Sequence, residues 1–195
     1  YLLTPFYVRV FVSGEYGQIS ELYAWIALLL AILTFGMETT FFRFSQKEDS
    51  RKVFNNAETL VLLISTVFLL FYCFFYKSFA ELIHYEFNTH YVLLLGIIVA
   101  VDAAAAIPFA MLRKENKAGR FSLIKTINVL TNIFFNILFL VIIPEKSMMI
   151  AEHIFGQQTS LLIWVFVSNI LASVLNLILL APQLSTLKIS LNKEL

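Results

Sequence analysis

The sequence predicts an all-α fold, a polytopic bundle of about six transmembrane helices of which the first is partial. Three observations carry this expectation. Of 195 residues, 59% are hydrophobic and only 14% are charged, where soluble domains average about 25% charged. The apolar residues fall in blocks of about twenty, the length that crosses a bilayer. No stretch alternates as a strand would, and no soluble domain, low-complexity linker or short internal repeat interrupts the blocks.

The predicted spans are 1–12, 19–42, 57–76, 91–112, 121–143 and 161–180. The first is too short to cross alone and ends at the turn signal Ser13-Gly14. Because the chain opens with Tyr in apolar text, it is expected to be a piece of a longer protein. The second span begins near the aromatic pair Tyr23 and Trp25, residues that favour a membrane interface. The third reads as the most purely oily. The fourth carries Asp102 near its middle and Pro108 towards its end, and a short basic turn from Arg113 to Arg120 comes after it. The connectors Lys77–His90 and Glu145–Thr159 are mixed in character, and the first suits a short surface helix.

The stretch Ala118–Ile143 is expected to organise the bundle. Lys125, Asn128, Asn132 and Asn136 recur at helical spacing and draw one polar stripe down an apolar rod. Lipid cannot solvate such a stripe, so it faces other helices or water.

Charge distribution sets an orientation. The loops after spans two, four and six hold Arg43, Lys47, Arg51, Lys52, Arg113, Lys114, Lys117, Arg120, Lys188 and Lys193, against Arg9, Lys77 and Lys146 on the other side. By the positive-inside rule the basic loops and the N-terminus are cytoplasmic. The single cysteine, Cys73, rules out an internal disulfide. His84, His90 and His153 are scattered in connectors and read as solvated loop residues. No metal spacing, phosphate loop or nucleophilic triad is present, so no cofactor and no enzyme chemistry are expected.

The candidate site residues are the charges within apolar text. Asp102 lies roughly 15 Å from the basic turn at ~1.5 Å per residue, too deep to snorkel easily. Lys125 lies about 6–8 Å inside its helix. Glu38 sits at a similar depth, five residues before Arg43. Such charges cost about 2.5–3.5 kcal/mol each at mid-bilayer, and an acid on span two, an acid on span four and a base on span five can offset one another in one cavity. Against this stand simpler readings. Lys125 and Arg43 can snorkel to the interface. Glu38 can pair structurally with Arg43 or Lys125. The Asn stripe can be interhelical hydrogen bonding, the preferred reading for Asn136 and for Asn169, Ser173 and Asn176 on span six.

The segments TPFYVRVFVSGEYGQISELYAW, LTFGMETTFFRFSQ and IPFAMLRKENKAGRFSLIKTINVLTNIFFN resemble bacterial polysaccharide-biosynthesis membrane proteins. These are oligosaccharide-lipid flippases of the O-antigen or lipopolysaccharide transporter type, in the superfamily that also holds multidrug exporters. The resemblance covers essentially the whole chain and rests on the EYG turn (Glu15–Gly17), the GMET…FFRF end of span two and the FAMLR…RF turn. It implies the N-terminal lobe of a two-lobed transporter of the bacterial cytoplasmic membrane, moving polyprenyl-diphosphate-linked oligosaccharide by alternating access. It further implies Arg9, Arg43 and Lys125 as diphosphate contacts, Asn128 and Asn132 as sugar contacts, and Glu38 and Asp102 as tuning or ion-binding acids. The implied partners are the lipid-linked oligosaccharide, membrane lipids, a C-terminal lobe of the same protein and polysaccharide assembly enzymes, with no nucleic acid. The alternatives are an ion-coupled multidrug exporter with Asp102 as its cation site, a membrane glycan polymerase or ligase, and a structural subunit.

Overall fold

The computed structural model describes residues 3–156 and 159–188. Tyr1 and Leu2 of the first predicted span and Lys193 of the basic tail lie outside the described residues. The helices are α1 (Thr4–Val10), α2 (Ser13–Thr34), α3 (Met37–Phe44), α4 (Ser50–Leu82), α5 (Thr89–Lys114), α6 (Ala118–Ile137), α7 (Pro144–Phe155), α8 (Ile163–Leu179) and α9 (Ala181–Leu184). Among the described residues there is no strand, so the chain is an all-α bundle.

Four segments are long and apolar enough to cross a membrane: Gly14–Phe44, Ser50–Leu82, Glu86–Lys114 and Ala118–Ile142. They coincide with predicted spans two to five. The helix in the sixth predicted span, α8, has 17 residues, about 26 Å at ~1.5 Å per residue. The predicted partial first span is the seven-residue α1, with Pro5 at its start.

Element ends differ from expectation for local reasons. The chain turns at Phe11–Val12, where the backbone is extended, and Ser13–Gln18 is already helical. Glu15 sits in that first turn, where an acid favours the exposed N–H groups. Helix α4 runs well beyond the apolar block at both ends. At its start the Asp49 carboxylate accepts the Arg51 N–H at 2.7 Å and caps the polar turn. At its far end Lys77–Leu82 is helical, and a single 3-10 turn, Glu86–Asn88, precedes α5. Helix α6 passes into a π-helical turn, Leu138–Ile142, before Pro144 opens α7.

The hub is α5, not the predicted organiser α6. In its most apolar stretch 72% of residues are buried, against 17% for α6. Helix α5 packs against α4, α8, α2, α3 and α6. Its sequence explains this: Gly96, Ala100, Ala103, Ala104, Ala105 and Ala110 are small, and small residues let helix backbones approach closely in a membrane. At Gly96 the Tyr72 ring of α4 lies against the backbone, in space that a Cβ would occupy. The Tyr72 hydroxyl donates to the Val92 carbonyl at 2.9 Å in the same contact. Helix α6 packs mainly on α8 and leaves Leu123, Leu130, Phe134 and Ile137 exposed, as a lipid-facing surface would.

The two ends of the bundle are tied differently. At the basic end Arg120 donates to the Leu179 carbonyl at 3.2 Å, and the Lys188 N–H donates to Asn55 Oδ1 at 3.2 Å. At the opposite end Tyr85 donates to Glu21 at 3.0 Å, and the Trp164 indole donates to the Ser147 carbonyl at 3.0 Å.

Glu58, one residue inside the apolar block of α4, belongs to no pattern visible in the sequence. Its side chain is fully buried, and neither carboxyl oxygen has a hydrogen-bond partner among the described residues. A buried polar group without a partner costs about 1–3 kcal/mol by protein mutational data. Glu58→Met is therefore expected to raise the thermal stability of the detergent-solubilised protein by a similar amount, and an unchanged melting temperature would count against uncompensated burial. Gly96→Ala is expected to lower stability by about 1–3 kcal/mol through overpacking against Tyr72. Gly17→Ala, where nothing lies within 4 Å of the added methyl, serves as the control. Equal melting temperatures for these two variants would show that the α4–α5 seam is not tight.

Candidate functional site

Two cavities adjoin along α2, and together they form one groove. Helix α2 presents a stripe at helical spacing: Tyr16, Ser20, Tyr23, Ala27, Ala31 and Thr34. From Tyr16 to Thr34 the stripe is about 27 Å long at ~1.5 Å per residue. It continues past a break in the helix to Glu38. Opposite α2 stand α6 and α8. Asn128 of α6 and Asn169 of α8 line both cavities and so join them.

The half away from the basic end is neutral. This cavity, of about 880 Å³, is lined by Thr4 and Tyr7 from α1, by Tyr16, Ser20 and Tyr23 from α2, and by Asn128, Asn132 and Asn169. Several of these groups hold one another. The Tyr7 hydroxyl donates to Asn136 Oδ1 at 3.0 Å. The Asn136 amide donates to the Asn132 carbonyl at 2.8 Å and to its side-chain oxygen at 2.9 Å. The Asn169 amide donates to the Tyr23 hydroxyl at 3.1 Å. Asn136 is fully buried, and it acts as the interhelical tie expected of it.

The half nearer the basic end is charged. This cavity, of about 560 Å³, is lined by Glu38, by Asp102, Phe109 and Arg113 of α5, by Phe121, Lys125 and Asn128 of α6, and by Asn169, Ser173 and Asn176 of α8. Glu38 and Arg113 form a direct ion pair. The Arg113 guanidinium lies over the rings of Phe42 and Phe121, 5.5 Å from each centroid, a cation–π arrangement. The Lys125 ammonium sits 4.1 Å from the Phe109 ring centroid. Asp102 shares this cavity with Ser173, whose hydroxyl donates to Asn169 Oδ1 at 3.4 Å, and with the countercharge of Lys125.

Of the residues singled out in the sequence, Glu38, Asp102, Lys125 and Asn128 lie in one cavity, and Asn132 lies in its neighbour. Arg9 and Arg43 do not join them; both are exposed and line neither cavity. Helical phase explains the exclusions. Arg9 comes two residues after the buried, groove-facing Tyr7, about 200° around the helix. Arg43 comes five residues after Glu38, about 140° away on α3. The base that pairs with Glu38 is instead Arg113, assigned to the basic turn on sequence but still helical in α5. It lies eleven residues after Asp102, about 20° off the same face, and that phase is the signal for it. Asn169, Ser173 and Asn176, read as packing residues, also line the charged cavity. Among the described residues no group of three His, Cys, Asp or Glu side chains could hold a metal ion.

Tyr7→Phe and Asn136→Leu each remove the link between α1 and α6. Each is expected to cost about 0.6 kcal/mol, and up to about 1.7, in a double-mutant cycle of thermal unfolding. The double variant should lose little more than the worse single variant. Strict additivity would show that the two side chains do not interact.

The chain matches no family model, no curated protein and no solved structure.

Proposed function

We propose that this chain is one lobe of a membrane transporter of the oligosaccharide-flippase type, carrying polyprenyl-diphosphate-linked oligosaccharide across the bacterial cytoplasmic membrane. The observation that carries the proposal is the groove. It extends for nearly the thickness of a bilayer core, about 30 Å, and it carries polar side chains at intervals along its length in a bundle whose outer surface is apolar. Polar side chains at such depth mark pathways more often than structure. The two halves also differ as the two parts of such a cargo differ. Phenol, hydroxyl and amide groups suit sugar rings, and the end with Lys125, whose ammonium has no ion-pair partner within 4.0 Å among the described residues, suits anionic oxygens. The apolar polyprenyl tail stays in the lipid. The bias of Lys and Arg to one end favours a cytoplasmic position for that end, and the sequence resemblance supports the same family.

A second reading keeps the architecture and makes the protein an ion-coupled exporter with Asp102 as the cation site. The charges in the groove balance, Glu38 and Asp102 against Arg113 and Lys125, so the cavity lacks the net acidic character that would favour a bare cation.

The proposal is tested by thiol accessibility in the full-length parent protein, with Cys73 replaced. Single cysteines at Asn128, Asn132 and Asn169 are expected to react with charged thiol reagents and to be protected by lipid-linked oligosaccharide. A cysteine at Leu130, exposed on the apolar face of α6, should not react. Silence at all three groove positions would mean that the stripe is dry helix packing, and transport through this groove would be ruled out.

A further inference from the structure

The four charges of the groove are not equivalent. Glu38 and Arg113 satisfy one another directly, and two phenylalanine rings cover the guanidinium. That pair has little charge left to offer. Asp102 and Lys125 are different. They lie in the same cavity, yet no ion pair within 4.0 Å joins them or engages either one among the described residues. Asp102 has Ser173 in the same cavity, but that hydroxyl donates to Asn169 Oδ1 at 3.4 Å, and Lys125 makes do with the face of Phe109.

Neither partner exhausts the group it serves. A carboxylate has about four lone-pair sites and an ammonium has three donors. Beside them, Asn176 Oδ1 is buried in the same cavity without a hydrogen-bond partner among the described residues. It is an acceptor waiting for a donor, and Lys125 makes no hydrogen bond to it. The cavity therefore holds an open acceptor set, Asp102 with Asn176, next to one open cationic donor, Lys125.

Resting on the transport reading above, we propose that this cavity selects a head group carrying both signs: a free ammonium held by Asp102 and Asn176, and an anionic oxygen held by Lys125. The chemical class is a lipid-linked glycan with an unacylated amino sugar. The anion comes either from the carrier's diphosphate or from a sugar carboxylate. A neutral N-acetylated sugar in the same place would leave Asp102 and Asn176 Oδ1 without a charged donor, and unpaired polar groups at depth are what a selective site penalises.

The test uses the full-length protein in vesicles and three polyprenyl-diphosphate-linked disaccharides of equal size: one N-acetylated, one with a free amine, and one N-acetylated with a uronic acid. Binding is read as protection of a cysteine at Asn132. The free-amine form is expected to protect at about tenfold lower concentration than the N-acetylated form, the scale of one charge-assisted hydrogen bond. Asp102→Asn is expected to bring that ratio close to one, and because the ratio is taken within one variant, a fall in folded fraction does not move it. Lys125→Gln should weaken all three forms if the diphosphate is the anion, and the uronic acid form alone if the carboxylate is. Equal protection by amine and N-acetyl forms in the wild type would overturn the proposal while leaving transport of lipid-linked glycan intact. So would protection of the Asn132 cysteine by sodium or protons, lost in Asp102→Asn, with no preference among glycans, which would make Asp102 a coupling-ion site. Protection by none of the three would instead remove the transport reading itself.

Discussion

Close approach of backbones at α5 is the constraint on which the other features depend. A membrane bundle gains nothing by hiding apolar side chains from lipid that is equally apolar, so its helices associate through tight packing and polar contacts. Helix α5 supplies the packing with Gly96 and a run of alanines, and α4, α2 and α8 come close enough to bury it. Small side chains have a second consequence. Ala105 and Ala106 line the charged cavity and do not fill it, so Asp102 opens into space where a larger neighbour would have covered it. The same residue choice produces a dense seam on one side of α5 and a cavity on the other.

The polar side chains of the bundle sort by how completely they are satisfied. Tyr7 with Asn136, Trp164 with Ser147, and Tyr72 with Val92 are closed contacts between elements or along the α4–α5 seam. They make the framework. Glu38 with Arg113 is closed electrostatically and lies half-exposed at the basic end, where water screens it and its energetic value is modest. Asp102, Lys125 and Asn176 form the open group, and they line the same cavity. A structural role alone does not call for open valence at that depth, because an apolar residue would pack there at lower cost.

Much of this is legible in the sequence, and the failures share a cause. Apolar runs locate the four long spans, since hydropathy alone distinguishes residues that lipid tolerates. The polar stripe of α6 is visible in its spacing, yet the stripe does not make α6 the hub. Close helix packing in a membrane favours small side chains, so the hub is the alanine-rich helix. Span ends are missed where a helix continues into polar text, as α4 does beyond Asp49 and again through Leu82. The family resemblance, together with their place in apolar text, singles out Arg9 and Arg43. Rotation about the helix axis decides whether a side chain can enter a cavity, and it excludes both while admitting Arg113. Glu58 is silent in the sequence because composition does not show which face of an oily helix is the buried one.

The break in the second span shows how backbone and charge are coupled. Phe35 and Gly36 are both left-handed, with φ of 45° and 64°. Glycine adopts that conformation without penalty, whereas a phenylalanine there is strained by about 1–3 kcal/mol and persists only where the surroundings demand it. The demand comes from the packing of α3. Beyond the break, its eight residues pack on both α4 and α5, and Phe41 is fully buried in the cluster they share. That placement sets Glu38 against Arg113 and lays Phe42 beneath the guanidinium. The strained pair Phe35–Gly36 thus separates the long wall of the groove from the short helix that carries its terminal ion pair, and the position of Glu38 depends on backbone conformation as much as on its place in the chain.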